Sequence, residues 1–263
     1  ALKHAEVGML ARRAELDADA DSDEPAIRDL HRKDLELSLV HALRLRGRLR
    51  LAVGDTGLAL LRLREAGERW QELQGDDHPG GATFLISLAQ ALRGAGRGSE
   101  LEEPLESARV LAGGEMDRVP QPTLPIVLHD LGVAAGDAGD FEHAETLLVE
   151  AAMLAASLLK DGDPIHARIL YTRGLARLAR GENDLAEGLF ADAEKRSSLE
   201  GRGRGASMLL IQAARAWARA GEGRDRHGEA ARVLRETEEE LVKLRGPENT
   251  IAAHVRGLRR SLE

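Results

Sequence analysis

The sequence predicts an all-α protein built from stacked helical hairpins, and three observations carry that prediction. Small residues recur in a fixed register, at spacings of 42, 43, 42 and 40 positions. Segments of helical apolar period alternate with short polar turns that contain glycine or proline at matching places. Aromatic residues make up only 2% of the 263 residues against 43% hydrophobic, and the apolar set is mostly Ala, Leu and Val. Such a set suits closely packed helices better than strands, which draw on aromatic and β-branched side chains.

The register is read from Gly54, Gly96, Gly139, Gly181 and Gly221, each of which closes an apolar segment. Seven residues before each stands a small residue: Gly47, Ala89, Gly132, Gly174 or Ala214. Four residues earlier again comes Leu43, Leu85, Leu128, Leu170 or Leu210. A leucine and a small residue four apart share one helix face, and the missing side chain admits a second helix at short range. The closing glycine supplies a left-handed helix terminus. The turns GDTG, GRGS, GDFE and GEND then lead into a second helix that presents Ala59, Leu101, Ala144 or Ala186. One turn further along that face lie Leu63, Leu105, Leu148 and Phe190, followed by Ala66, Ala108, Ala151 and Ala193. In the fifth repeat the turn GEGRDRHGEA is longer, so Ala230 arrives late and Thr237 takes the last small position. Such a hairpin buries its apolar face only by stacking on neighbours.

These signals map onto one domain, 1–263. Residues 1–25 comprise a helix over 1–16 and the acidic break DADADSDEP; residues 26–245 hold five repeats; residues 246–263 hold a C-terminal capping helix. A long helix is expected from Ala26 to Val53, with later hairpins opening near Gly81, Leu124, Ile165 and Gly205. The stretches 113–125 and 201–205 are the irregular connections, and the last helix runs from Asn249 to Leu262.

The pattern resembles the tetratricopeptide repeat (TPR), best in LHDLGVAAGDAGDFEHAETLLVEAA from Leu128 to Ala152. Its period of about 42 is longer than that repeat's usual unit and is similar to the kinesin-light-chain subtype. The linkers GDDHP, ending at Pro79, and GDP, ending at Pro164, resemble that subtype, as does LEEPLESA over 101–108. Pro122 holds the equivalent place before the third repeat. The resemblance covers residues 40–245 and implies a right-handed α-solenoid of five hairpins with flanking helices. The paired asparagines common in that subtype are absent: the corresponding segments are LISLAQ, LHDLGV and LYTRGL.

The resemblance also implies that first helices line a concave groove. The residues projected there are His41, Arg44 and Arg48; Thr83, Gln90 and Arg93; His129, Asp130 and Asp137; Arg168 and Tyr171; and Gln212, Arg215 and Arg219. Acidic residues concentrate on second helices, among them Glu145, Glu187 and Glu194. A groove rich in arginine on a chain of net charge −8 is expected to capture an acidic or carboxylate-bearing segment. The candidate partner-binding residues are Arg44, Arg48, Gln90, Arg93, His129, Arg168, Tyr171, Gln212, Arg215 and Arg219.

Other chemistry finds no support in the sequence. HRKD at 31–34 lies inside a predicted helix without a glycine-rich strand upstream, so it is not a kinase catalytic loop. The glycine-rich stretches follow no strand and lack a phosphate-loop ending, and the nine histidines have no metal-ligand spacing. No catalytic, cofactor or metal residue is therefore assigned, and no enzyme is expected. The acidic balance, with a pI near 5.7, opposes nucleic-acid binding, and no apolar run is long enough for a membrane span. Absence of cysteine fits a cytoplasmic location. Five lysines against 32 arginines point to a GC-rich bacterial source. The expected role is a scaffold binding a protein or peptide, with homodimerisation open. The alternative is a regulatory or sensor module cut from a larger bacterial signalling or defence protein, for example a serine/threonine kinase fusion.

Overall fold

The computed structural model describes residues 7, 8, 10, 11, 14, 25–113, 121–198, 205–221, 223, 226–246 and 250–262. Among them lie eleven α-helices and no strand. In order these are α1 (Pro25–Ala52), α2 (Thr56–Gln74), α3 (Ala82–Gly94), α4 (Glu102–Leu111), α5 (Leu124–Asp137) and α6 (Phe141–Leu158). α7 (Pro164–Ala179), α8 (Asn183–Ser198), α9 (Ala206–Ala220), α10 (His227–Arg245) and α11 (Thr250–Arg260) complete the set. The chain divides into two compact units, 1–134 and 135–263. Each is a stack of helical hairpins, the α-solenoid class that the sequence predicts.

Helix starts fall within a residue or two of their expected places because local chemistry sets them. The Asp55 and Asp140 carboxylates accept from the backbone N–H of Leu58 and His143, at 3.3 and 3.0 Å, and so cap α2 and α6. Asp163 accepts from Ile165 N at 3.0 Å and Pro164 takes the first turn of α7. Pro79 opens a 3₁₀ turn before α3, with His78 Nδ1 accepting from Gly80 N at 3.1 Å. Of the helix expected over 1–16, the five described residues are helical and the rest lie outside the described residues. So do most of the two irregular connections.

First helices stop on a shared motif. Gly54, Gly96, Gly139 and Gly181 have φ of 84, 71, 84 and 76°. In the first hairpin, Gly54 N–H donates to Leu51 O and Asp55 N–H donates to Arg50 O, both at 3.0 Å, which satisfies two terminal carbonyls of α1. The other three glycines repeat the pattern. Gly221 does not: its φ is −65°, and a Cβ there would lie 2.6 Å from Asn183 Nδ2.

The small-residue register does what close packing demands. A Cβ on Gly47 would lie 2.6 Å from Leu63 Cγ, and one on Gly174 would lie 2.5 Å from Phe190 Cε1. In the second unit Phe190 is wholly buried among Ala167, Ala186, Ala193, Ile211, Ala214 and Ala218. Burial of that ring is worth about 2–3 kcal/mol. At the C-terminal end, Ala252 and Val255 of α11 pack with Leu209, Ala213, Leu234 and Leu241.

The fifth hairpin departs from the expected register. Ala214 belongs to the cluster around Phe190, which is the preceding hairpin's core. Ala216 and Ala220 instead pack on Ala230 of the hairpin's own second helix. Ala216 stands 42 residues after Gly174, so the period is kept, and the 40-residue step to Ala214 is a sequence coincidence. α9 offers alanines at 213, 214, 216, 218 and 220. Composition alone therefore cannot choose among them.

Candidate functional site

In the first unit, α1 and α3 carry an arginine-bearing face built on an aromatic cluster. The Trp70 and Phe84 rings lie 4.9 Å apart, and His41 stands 5.4 Å from Trp70 and 5.6 Å from Phe84. Val40, Leu43 and Ala66 pack around them, which fixes α1 against α2 and α3. The Arg44 guanidinium sits over the Phe84 ring at 5.4 Å, a cation–π placement. Its Nε is buried without a hydrogen-bond acceptor. Burial, and then the neighbouring Arg48 charge, lowers the Arg44 pKa below its ordinary value. Burial and the Arg44 charge likewise hold the His41 imidazole below its ordinary 6.5.

Arg48 is exposed one turn beyond Arg44, and Arg93 is half-buried in the last turn of α3. Arg44, Arg48 and Arg93 have no carboxylate partner among the described residues. Gln90 Nε2 donates to Asp130 Oδ2 at 2.9 Å and so ties α3 to α5. The other Asp130 oxygen lies 2.9 Å from His129 Nδ1, and both of these residues are buried. His129 therefore belongs to the packed interior of the first unit rather than to an open wall.

In the second unit four arginines of α7 and α9 are matched by carboxylates. Glu145 of α6 takes Arg173 and Arg177 of α7 at 2.7 and 3.2 Å. Glu187 of α8 takes Arg215 and Arg219 of α9 at 2.7 and 3.0 Å. The two triads are related by 42 residues at every member. Arg215 also reaches Glu194 at 2.8 Å, and Gln212 Nε2 donates to the other Glu194 oxygen at 2.8 Å. Burial pushes the Glu145 and Glu187 carboxyls up, but hydrogen bonds and charge from their arginines outweigh it and hold both below the usual range.

The ten candidate partner-binding residues thus fall into different settings. Arg44, Arg48, Gln90 and Arg93 share the first unit's α1–α3 region. Gln212, Arg215 and Arg219 face glutamates of the preceding second helix, because the true register of α9 is shifted by two residues. Tyr171 lies 5.8 Å from the Phe190 ring and is half-buried, and desolvation raises its pKa; Arg168 is exposed near the start of α7. Trp70 and Phe84, which support Arg44, were not among the projected residues. Their signal was present in the sequence: two of its few aromatic rings lie 14 residues apart across one hairpin linker.

No known family and no curated protein matches the sequence. Solved structures do. A putative kinesin light chain with nearly identical TPR-like repeats from Podosopora anserina aligns at 20% identity and TM-score 0.59, over 79% of this chain and 97% of that one. BtubC (BKLC) from P. vanneervenii aligns at 17% identity and TM-score 0.65, over 93% and 94%. A Rap protein complexed with Competence and Sporulation Factor aligns at 12% identity and TM-score 0.59, over 89% and 69%. The fold is TPR-like. No helix among the described residues is long and apolar enough to cross a membrane.

Proposed function

We propose that the protein is an interaction scaffold whose first unit binds an acidic segment of a protein or peptide at Arg44, Arg48 and Arg93. One observation carries this reading. The second unit neutralises Arg173, Arg177, Arg215 and Arg219 with Glu145 and Glu187, whereas Arg44, Arg48 and Arg93 of the first unit have no carboxylate partner among the described residues. An incoming carboxylate supplies the missing acceptors and relieves the repulsion between Arg44 and Arg48. Gln90, oriented by Asp130, adds a neutral polar group to the same region. On a chain of net charge −8, a local group of arginines without carboxylate partners among the described residues attracts an acidic segment at short range and so discriminates by charge.

The test uses a fluorescein-labelled hexaglutamate peptide and fluorescence anisotropy at low and moderate salt. Arg48→Glu with Arg93→Glu should weaken binding at least about tenfold, as expected for removal of two charge-assisted contacts. Arg215→Ala, which removes an arginine already paired, should leave it unchanged. Equal affinity of the double variant and the parent chain rejects the reading. A second reading makes the chain a sensor module of a larger bacterial signalling protein. It is favoured by the similarity to a Rap protein solved with a bound factor.

A further inference from the structure

The arginines of the first unit have a spacing whose chemistry the second unit displays. Arg173 and Arg177 of α7 stand four residues apart and converge on a single oxygen, Glu145 Oε1, at 2.7 and 3.2 Å. Arg215 and Arg219 of α9 do the same on Glu187 Oε1, at 2.7 and 3.0 Å. Arg44 and Arg48 of α1 are also four apart, one helical turn along a common face. They are close enough for the Arg48 charge to act on Arg44. Arg44 is half-exposed and held over the Phe84 ring, and Arg48 is exposed. One anionic oxygen from outside therefore suffices for this pair.

A lone carboxylate leaves the rest of the face unanswered. Within the second unit each such carboxylate brings one charge to two guanidiniums, and the other Glu145 oxygen has no hydrogen-bond partner. The first unit sets further donors beside its pair. His41 is exposed three residues before Arg44 and feels the Arg44 charge. The last turn of α3 meets α1 just beyond Arg48: a Cβ on Gly94 would lie 2.8 Å from Leu51 Cδ1, so Arg93, the preceding residue, flanks the row. Arg44, Arg48 and Arg93 have no carboxylate partner among the described residues. Three guanidiniums and an imidazole match an anion with more than one charge and more than two oxygens. A phosphoryl group carries about two negative charges near neutral pH and three acceptor oxygens.

We propose that the group this face selects is the phosphoryl of a phosphorylated serine or threonine in the partner segment, with one oxygen shared by Arg44 and Arg48, another taken by Arg93 and the third facing His41. The inference rests on the acidic-segment reading of the same face and names the anion within it.

Fluorescence anisotropy on the full chain tests this with three fluorescein-labelled peptides. They are hexaglutamate, hexaglutamate with phosphoserine at its fourth position, and heptaglutamate, whose net charge equals that of the phosphopeptide. The phosphopeptide should bind about tenfold more tightly than heptaglutamate, the worth of one added charge-assisted contact. Arg93→Ala should cut that advantage to less than about twofold, because it removes the third guanidinium. Arg215→Ala should keep it, and far-UV circular dichroism should show both variants as helical as the parent. Equal affinity for phosphopeptide and heptaglutamate, with hexaglutamate still bound, overturns the phosphoryl inference and leaves the acidic-segment reading standing. If none of the three peptides binds, both fall. An advantage that survives Arg93→Ala also overturns the inference. So does inorganic phosphate that binds as tightly as the phosphopeptide, since the ligand would then be a free anion.

Discussion

Replacing Gly174 with alanine adds one carbon 2.5 Å from Phe190 Cε1, 2.8 Å from Cδ1 and 2.9 Å from Cζ. Relief requires the ring to move by roughly 1 Å, since carbon atoms rest about 3.5–4.0 Å apart. Phe190 has nowhere to go: it is 0% exposed and enclosed by six alanine and isoleucine residues of α7, α8 and α9. Overpacking of this kind costs about 1–3 kcal/mol, here toward the upper end. Better helix propensity returns about 1 kcal/mol, for a net loss of about 1–2 kcal/mol. Gly188 lies in α8 of the same hairpin and has open space around it, so Gly188→Ala should stabilise by about 1 kcal/mol. Urea denaturation followed by far-UV circular dichroism reads both. The decisive step is Gly174→Ala on a Phe190→Leu background, which recreates the Ala89 and Leu105 pairing of the second hairpin. A double-mutant cycle should show coupling above about 1 kcal/mol. If Gly174→Ala is no less stable than the parent, or loses as much on the Phe190→Leu background, the close-packing argument fails.

Two further outcomes concern the charged groups. Glu187→Gln should destabilise the second unit by about 1–2 kcal/mol at neutral pH, since it breaks a partly buried hub shared by Arg215 and Arg219. The parent's Glu187 has a lowered pKa, so its contribution is complete above the ordinary 4.5 and is lost as pH falls through the folded value. Acid denaturation of the variant should therefore be shallower, and superimposable acid limbs would contradict the pairing. His41 acts in the same direction over a higher pH window: its folded pKa is lowered, so the unfolded chain takes up a proton first as pH drops below 6.5. Stability should fall with pH in that window, and His41→Gln should flatten the slope. A parent chain indifferent to pH there would remove Arg44 and burial as the controlling influences.

What the sequence determined by itself was everything set within a few residues along the chain. The 3.6-residue apolar period, the Asp55, Asp140 and Asp163 caps, the prolines at 79 and 164 and the four left-handed glycines act locally, and the helices fall where they place them. The recurrence of Gly47, Ala89, Gly132 and Gly174 every 42 or 43 residues likewise announced stacked hairpins. Tertiary structure decided which face met which neighbour. In α9 alanines occupy five positions over two turns, so only packing on Ala230 singled out Ala216. That two-residue shift turned Gln212, Arg215 and Arg219 toward glutamates of α8, and charge counts along the sequence could not show it. The first-unit arginines that have no carboxylate partner among the described residues have the same origin. Each depends on what side chain stands across a helix junction tens of residues away, and linear periodicity carries no information about that distance.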